Sequence, residues 1–270
     1  MGTAHSPSRA HLLDRAEPRL VFPMDFIQYF DLGRLSYSAA LAAQRERGSR
    51  VQAAGETDAP LRENCILLVE HDPPVITLGR RGKEAADLRA TPEQLRAMGI
   101  EVHHATRGGQ ATYHGPGQLV GYPILHLGAM GLAVPQYVRQ LEETIIRTLA
   151  RFGIAGERIK GQPGVWVEKW GRYPICQANR VASPFFPFFK IAAIGVAVSR
   201  RVCYHGFALN VCTNLDHFRL IVPCGMQDGQ VTSMSEVLSR RVELAEVKPV
   251  LLDCFGEVFG VNLRAETREG

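Results

Sequence analysis

The glycine-rich segment at residues 107–117 constrains the fold most. Its sequence, RGGQATYHGPG, holds four glycines and one proline in eleven residues. Glycine permits positive φ and lets the backbone approach another group closely, where a side chain would clash. Apolar runs typical of strands lie on both sides, at residues 101–105 and 118–127. We therefore predict a ligand-binding loop held by a sheet. Neither phosphate-binding glycine pattern, G-x-x-x-x-G-K-S/T or G-x-G-x-x-G, occurs in this segment, which disfavours a nucleotide phosphate as the ligand.

Length and charge narrow the class of protein. A chain of 270 residues that is 46% hydrophobic can bury a substantial core, and we expect one domain of above-average size. The net charge of +4 comes without a dense run of lysine and arginine, so nucleic acid is not an expected partner. A mildly basic surface suits an acidic protein partner instead. No apolar run reaches the roughly 20 residues that a membrane span needs, so no membrane interaction is expected.

The cysteines point to a reducing compartment. Six cysteines are scattered along the chain without a C-x-x-C pair, a pattern that favours neither a zinc site nor a disulfide framework. We therefore expect no metal, and because a nucleotide-phosphate loop is absent we also expect no cofactor. Residues 1–24 carry arginines and serines but also acidic residues, and we interpret them as a disordered leader or a possible transit segment without a secretory signal.

The order of predicted elements indicates the fold class. Helices are predicted at 34–47, after Thr91, after Pro135 and at 243–259, and strands at 65–69, 75–78, 164–170, 191–198 and 202–211. Thr91 with proline next and glutamine three residues on is typical of a capped helix start. Because strands and helices do not alternate strictly, the pattern predicts an α+β fold. We expect a single domain at 25–262, with a mixed or antiparallel sheet flanked by helices, and a tail at 263–270.

One stretch fits this pattern poorly. Residues 171–189 contain three prolines and four phenylalanines with no periodicity. Three hypotheses remain open: a flap over the site, a disordered insertion, or a translated intron, whose phenylalanine-rich end would match a pyrimidine-rich splice acceptor. The intron hypothesis implies a eukaryotic source and hence a mitochondrial or plastid matrix, whereas a bacterial source implies the cytoplasm.

Cys224 and Lys190 are the first candidates for chemistry. Cys224 lies between Pro223 and Gly225, which predicts a sharp turn at a strand end where a thiol can act as a nucleophile. The alternative is an inert small residue. Lys190 precedes the apolar run at 191–195, so its amine either reaches solvent or is held inside the protein with a lowered pKa. If it is buried beside Cys224, the two would form a proton-exchanging dyad.

Several other polar residues have both functional and structural interpretations. His114 and His205 are candidates for a general base near neutral pH, or for structural residues held by hydrogen bonds. His103 and His104 would face opposite sides of a strand and so would not bind one metal ion. Arg107 would bind an anion such as a carboxylate or a phosphate, or would brace the loop. The basic cluster at residues 80–83 is typical of a solvated turn.

Six motifs in order resemble the octanoyltransferases of lipoate synthesis, also called lipoyl(octanoyl) transferases, over residues 25–260. The motifs are EHDPPVITLGRRG (70–82), RGGQATYHGPGQLVGYPIL (107–125), GVWV (164–167), KIAAIGVAVS (190–199), YHGFALNV (204–211) and IVPCGM (221–226). The resemblance implies a fold like that of the biotin and lipoate protein ligases. It also implies transfer of an octanoyl group from acyl carrier protein to a lysine of lipoyl domains, in 2-oxoacid dehydrogenases and the glycine cleavage H protein.

The resemblance also implies which residues form the site. Cys224 would be the nucleophile and acyl-thioester carrier, and Lys190 the partner that lowers its pKa. The substrate-binding residues it implies are Arg107, Gly108, Gly109, Gln110, Ala111, Thr112, Tyr113, His114, Ala193, Ile194, Gly195, Gly206, Phe207 and Ala208. In the family, a short hairpin connects the GVWV strand to the strand that begins with the lysine. Residues 171–189 are longer than such a hairpin, and this departure would affect the position of Lys190.

Two rival functions remain open. An ATP-dependent lipoate or biotin protein ligase of the same fold would need a nucleotide and no thiol. A non-catalytic protein that binds acyl carrier or lipoyl domains would need neither.

Overall fold

A computed structural model describes residues 26–55, 62–168, 188–222 and 230–266 of the chain. The leader predicted at 1–24, nearly all of the stretch at 171–189, and Cys224 lie outside the described residues. In the described ranges no helix is both long and apolar enough to cross a membrane.

Eleven strands and six α-helices make up the described ranges. The strands are β1 Phe26–Leu35, β2 Cys65–His71, β3 Val75–Leu78, β4 Glu101–His104, β5 Ala111–His114, β6 Gln118–Ile124, β7 Glu157–Ile159, β8 Gln162–Glu168, β9 Phe188–Ser199, β10 Val202–Asn210 and β11 Asn262–Ala265. The helices are α1 Tyr37–Ala54, α2 Glu84–Asp87, α3 Pro92–Ala97, α4 Val134–Arg151, α5 Met234–Leu238 and α6 Leu244–Phe259, with a 3-10 helix at Leu215–Leu220.

The strands form two sheets. The main sheet has the order β11-β1-β2-β6-β10-β9-β8-β7, and a small sheet has the order β4-β3-β5. In the main sheet β1 runs parallel to β2 and β11, whereas the remaining pairs are antiparallel. The predicted α+β fold with a mixed sheet is therefore confirmed.

Helices cover both faces of the main sheet. On one face α4 and α6 pack against the sheet, with Leu141, Ile145 and Leu149 of α4 fully buried at helical spacing. On the other face α1 packs on a second apolar cluster from β2, β6 and β10. A third cluster, which includes Tyr113 and Phe218, lies between the small sheet and the 3-10 helix. The elements that surround the site are thus fixed by three separate apolar clusters.

The predicted capping signal at Thr91 is confirmed. The Thr91 hydroxyl accepts from the Gln94 backbone N–H at 3.3 Å, and the Gln94 side chain accepts from the Thr91 N–H at 2.8 Å. Gly99 then ends the helical segment with φ +67°, a conformation that glycine adopts without strain.

Several predicted boundaries were wrong. The first helix spans Tyr37–Ala54 rather than 34–47, because β1 continues to Leu35 and Ser36 then caps the helix by accepting from the Ala39 N–H. Strand β11 pairs with β1, so the sheet includes residues that were assigned to a tail beginning at 263. The segment at 107–117 is only partly a loop, because residues 111–114 form β5.

Candidate active site

A cavity of about 480 Å³ lies where the two sheets meet. Strands β6, β9 and β10 of the main sheet supply one side, and β3 and β5 of the small sheet supply the other. The predicted substrate-binding residues that line this cavity are Arg107, Gly108, Gly109, Gln110, Ala111, Thr112, His114, Ala193, Ile194, Gly195, Gly206, Phe207 and Ala208. Three segments far apart in sequence therefore meet at one site.

Tyr113 does not line the cavity. Successive side chains of a strand point to opposite faces, so Tyr113 points away from the side on which Thr112 and His114 lie. Its ring is fully buried at 5.3 Å from Phe218, and its hydroxyl forms a 2.9 Å hydrogen bond with His217 Nδ1. The prediction that Tyr113 contacts the substrate is corrected to a role in the core of the small sheet.

Arg107 braces the loop from inside. Its Nη2 donates to the Thr77 carbonyl at 2.6 Å and to the Thr77 hydroxyl at 2.8 Å, and its Nη1 donates to the Gly108 carbonyl at 3.0 Å. The neighbouring Gly108 N–H donates to the Val196 carbonyl of β9 at 3.0 Å. The buried guanidinium therefore links β3 to the loop, and a backbone hydrogen bond links the loop to β9. Of the two interpretations of Arg107, bracing is the one that these contacts support.

Close packing explains two of the glycines in the site. A Cβ on Gly206 would lie 2.3 Å from the Gly121 carbonyl oxygen, and a Cβ on Gly195 would lie 2.9 Å from Arg107 Cδ. Side chains at these positions would push β6 or the Arg107 side chain out of place. Glycine at both positions therefore lets the sheet and the loop approach each other closely enough to form the cavity wall.

Lys190 is buried at the cavity wall, with only 8% of its surface exposed. Its amine donates to the Pro163 carbonyl at 3.2 Å and lies 4.6 Å from the centre of the Trp166 ring. Of the two positions predicted for this amine, the buried one is observed. A carbonyl oxygen and an aromatic face both attract a cation, so they hold the amine within the protein.

The main chain of Lys190 is bonded to the segment that follows Cys224. The Lys190 N–H donates to the Gln230 carbonyl at 2.8 Å, and the Thr232 N–H donates to the Lys190 carbonyl at 3.0 Å. At the other end of the undescribed residues 223–229, the Val222 N–H donates to the Asp87 carbonyl at 2.9 Å. Both ends of the segment that contains Cys224 are thus attached beside the cavity.

A chain of side-chain hydrogen bonds runs from His114 to the same segment. His114 Nδ1 donates to Gln118 Oε1 at 2.8 Å, Gln118 Nε2 donates to Asn210 Oδ1 at 2.9 Å, and Asn210 Nδ2 donates to the Thr232 carbonyl at 3.0 Å. Gln118 and Asn210 line the cavity, yet the sequence did not identify them. Their polar side chains inside strongly apolar strands were the available signal, because buried amides require partners.

Three buried histidines lie in or behind the cavity wall. Burial lowers the pKa of His71 to about 4 and that of His205 to about 4. Burial, with a smaller effect of the nearby His71, lowers the pKa of His114 well below its ordinary value. All three are therefore neutral at pH 7, which favours the structural interpretation of His114 and His205 over that of a general base.

Hydrogen bonds give these histidines a structural role. His71 Nδ1 donates to the Leu35 carbonyl at 3.2 Å, so its Nε2 accepts from the Tyr122 hydroxyl at 2.6 Å. His205 has φ +59° and bonds through Nε2 to the Thr106 hydroxyl at 2.9 Å. A residue other than glycine holds such a backbone only where its surroundings fix it.

No metal site is found in the described ranges. His103 bonds to Glu101 at 2.8 Å, and the exposed His104 bonds to Glu84 at 3.0 Å, so the two histidines do not converge. No group of three or more potential ligands occurs within the described part of the chain.

The four described cysteines are poor nucleophiles. Burial raises the pKa of Cys65 to about 12 and that of Cys203 to about 11, and it also raises the pKa of Cys212 and of Cys254. Their thiols therefore stay protonated near neutral pH, and the protonated form is not the reactive one. The other two cysteines, Cys176 and Cys224, lie outside the described residues.

Comparisons of sequence place the chain among known enzymes. The sequence model of the lipoyl protein ligase A/B catalytic domain matches residues 30–256. An octanoyltransferase of Koribacter versatilis is 42% identical over 86% of this chain and 84% of its own length, and one of Chloroflexus aurantiacus is 44% identical over 87% and 95%. An octanoyltransferase of Myxococcus xanthus is 43% identical, but the chain spans only 60% of that relative.

Solved structures share the fold at low sequence identity. A bipartite lipoate protein ligase from Thermoplasma acidophilum, studied with its E2 lipoyl domain, matches with a TM-score of 0.63 at 14% identity, over 91% of this chain and 89% of its own. A lipoate-protein ligase A bound with ATP matches with a TM-score of 0.61 at 15% identity, over 91% and 90%. At this identity the likeness establishes the fold, and the sequence relatives establish the family. The chain belongs to the lipoyl protein ligase A/B catalytic domain family and, within it, to the octanoyltransferases.

Proposed function

We propose that this protein transfers an octanoyl group from acyl carrier protein to a lysine of lipoyl domains, through a thioester on Cys224. The observation that carries the proposal is the position of Lys190. Its amine is buried at the wall of the cavity, and its backbone is bonded to Gln230 and Thr232, which follow Cys224 in the chain. A cationic group close to a cysteine lowers the thiol pKa, and this is the role that we propose for Lys190 toward Cys224.

The chemistry needs no external energy source. The Cys224 thiolate attacks the carbonyl carbon of the octanoyl thioester, the carbon–sulfur bond to the carrier breaks, and the leaving carrier thiolate takes a proton from the Lys190 ammonium group. The amine of the acceptor lysine then attacks the new thioester, and the Cys224 thiol is released as the amide forms. Because a thioester is already activated and an amide is more stable, ATP is not required. A ligase, in contrast, would need a nucleotide.

Lys190 serves as the proton carrier in this scheme. As an ammonium group it stabilises the Cys224 thiolate, and as an amine it takes the proton that the acceptor lysine must lose before attack. The tetrahedral intermediates also need donors for their oxyanions, which we assign to backbone N–H groups near Cys224 or in the loop at 107–110.

The cavity suits an eight-carbon chain. A volume of about 480 Å³ is typical of small-molecule sites, and apolar side chains cover much of its wall, among them Val120, Ile194, Val196 and Phe207. Each methylene group removed from water contributes about 0.8 kcal/mol. The acyl chain is thus held mainly by burial, and the thioester end is directed toward Lys190.

The acceptors follow from the same proposal. We assign the acceptor lysine to lipoyl domains of 2-oxoacid dehydrogenase complexes and to the glycine cleavage H protein. The Thermoplasma acidophilum ligase of the same fold was studied with an E2 lipoyl domain, which agrees with this class of acceptor. The three relatives described above are bacterial, which favours a bacterial cytoplasm and lends no support to a mitochondrial or plastid matrix.

Replacing Cys224 tests the thioester directly. Cys224→Ala is expected to abolish both octanoyl transfer and the mass increase of one octanoyl group, because no thiolate remains to accept the acyl chain. Intact-mass analysis after mixing with octanoyl carrier protein measures the adduct, which in the wild type should be cleaved by hydroxylamine.

Cys176→Ala is the matched control, since Cys176 is the other cysteine outside the described residues, and this variant should keep the adduct. A Cys224→Ala protein that still transfers octanoate would overturn the covalent mechanism. ATP-dependent transfer by that variant would favour a ligase, and a wild-type protein that binds octanoyl carrier protein without forming an adduct would favour a non-catalytic binder.

Lys190→Met tests the proton carrier. Methionine retains an apolar stem of similar length, so the fold should persist while turnover falls by a factor of about 10² to 10⁴. The measurement is steady-state transfer to a lipoyl domain between pH 6 and pH 9. The control is Lys248→Met, because Lys248 of α6 is paired with Asp31 of β1 and does not line the cavity. Turnover within about twofold of the wild type would show that Lys190 carries no proton.

The neutral histidines predict a loss of stability in acid. The pKa of His71 is about 4 in the folded protein and near 6.5 when unfolded, so its contribution is complete above pH 6.5 and is lost as the pH falls toward 4. That contribution is on the order of 3 kcal/mol. Urea unfolding measures the free energy of unfolding at pH 7.5 and at pH 4.5. The decrease between these two pH values should be smaller for His71→Gln than for the wild type.

Tyr122→Phe is the control for this measurement. It removes the hydroxyl bonded to His71 but leaves the histidine buried. Because burial is the largest cause of the lowered His71 pKa, the variant should be less stable than the wild type at pH 7.5 and keep most of the wild-type pH dependence. An unchanged pH dependence in His71→Gln would show that His71 does not carry the effect.

A further inference from the structure

Three exposed basic residues stand at the mouth of the cavity. Arg80, Arg81 and Lys83, here called the rim cluster, follow directly after β3, and Arg81 itself lines the cavity. Within the described part of the chain none of their side chains forms an ion pair or a hydrogen bond. Three neighbouring cations without counter-ions repel one another, which makes an anionic partner favourable at this position.

The backbone of the rim cluster is fixed to the site. The Arg80 N–H donates to the Arg107 carbonyl at 3.0 Å, and the Arg81 N–H donates to the Gly109 carbonyl at 3.1 Å. The turn is closed by the Gly82 N–H, which donates to the Gly79 carbonyl at 2.8 Å. The three side chains therefore project from a rigid turn whose position relative to the cavity is set by the glycine loop.

The rim cluster is also connected through helix α2 to Val222, the last described residue before Cys224. Helix α2 begins immediately after Lys83, and the carbonyl of Asp87, its last residue, accepts from the Val222 N–H. Val222 precedes Cys224 by two residues. A partner bound on the rim cluster would therefore lie beside the cavity mouth, on the side where Asp87 holds Val222.

The nearby acidic residues already have partners. Asp87 is buried, and its carboxylate accepts from the Lys83 N–H at 2.7 Å and from Gln110 Nε2 at 3.3 Å. The carboxylate of Glu84 is bonded to His104 at 3.0 Å. The charge that the rim cluster presents to solvent is therefore positive.

We propose that the rim cluster docks the acidic face of the carrier protein that delivers the octanoyl thioester. This inference rests on the proposed function and names the surface that the donor uses. Charges at the edge of an interface act mainly on the association rate and on its dependence on salt. A partner steered onto the rim cluster would bring its thioester arm to the cavity mouth without any nucleotide or metal.

The test compares two donors with a double variant. In Arg80→Gln/Lys83→Gln, which leaves the cavity-lining Arg81 in place, kcat/KM for octanoyl carrier protein should fall about tenfold at low ionic strength. The difference should largely disappear in about 0.5 M sodium chloride, where surface charges are screened. With octanoyl-pantetheine, which has neither the protein nor the phosphate, kcat/KM should stay within about twofold of the wild type. Arg264→Gln removes one exposed charge at the far edge of the main sheet and should alter neither donor.

Two further arms identify the partner. If kcat/KM of the double variant falls equally with octanoyl-phosphopantetheine, the rim cluster binds phosphate. If only the KM for the lipoyl domain rises, the rim cluster binds the acceptor. Either result overturns the proposal. The Kd of the unacylated carrier protein needs no turnover, so a loss of about tenfold in the double variant supports the docking surface even if transfer fails. An unchanged Kd contradicts it.

Discussion

The buried guanidinium of Arg107 is the interaction on which the site depends. It joins Thr77 of the small sheet to the glycine loop, and the loop backbone joins Val196 of the main sheet. The cavity lies between these two sheets, so its width is set by this set of hydrogen bonds. The same loop carries the carbonyls that fix the turn at Arg80 and Arg81. The Arg107 side chain therefore braces the loop, and the loop backbone in turn holds both β9 and the turn of the rim cluster.

The histidines at the cavity and Lys190 have opposite electrostatic environments. His71, His114 and His205 are kept neutral by burial, and they organise the wall through hydrogen bonds. Lys190, in contrast, is held by the Pro163 carbonyl and the Trp166 ring, both of which favour a cation. In an enclosed site a cation acts strongly on a nearby thiol, because the low dielectric strengthens the interaction. The proposed chemistry therefore assigns proton transfer to Lys190 and none to the histidines.

Much of this fold could be predicted from the sequence, since local signals dominate in several elements. The capping box at Thr91 and the apolar stripe of α4 depend on residues within one or two turns, and both were found. In β5, successive side chains point alternately toward the cavity and away from it. This alternation cannot be assigned when the glycine segment is interpreted as a loop. Tyr113 was misplaced for that reason.

Long-range partners were beyond local patterns. Gln118 meets Asn210 across 92 residues of sequence, and β11 completes the sheet beside β1 from the other end of the chain. Lys190 is held by Pro163 and Trp166 of the neighbouring strand β8. The sequence alone could not show this contact, so it did not decide whether the Lys190 amine is exposed or buried. Such contacts are set by topology, which a single sequence specifies only through its overall pattern.

The central claim is that the cavity between the two sheets holds the acyl chain during transfer. The most direct measurement is an NMR experiment on protein loaded with ¹³C-labelled octanoate from octanoyl carrier protein. We predict nuclear Overhauser contacts between the chain and the methyl groups of Val120, Ile194 and Ala208, which line the cavity. A loaded chain without contacts to these residues, or with contacts only to the α4 and α6 face, would contradict the account.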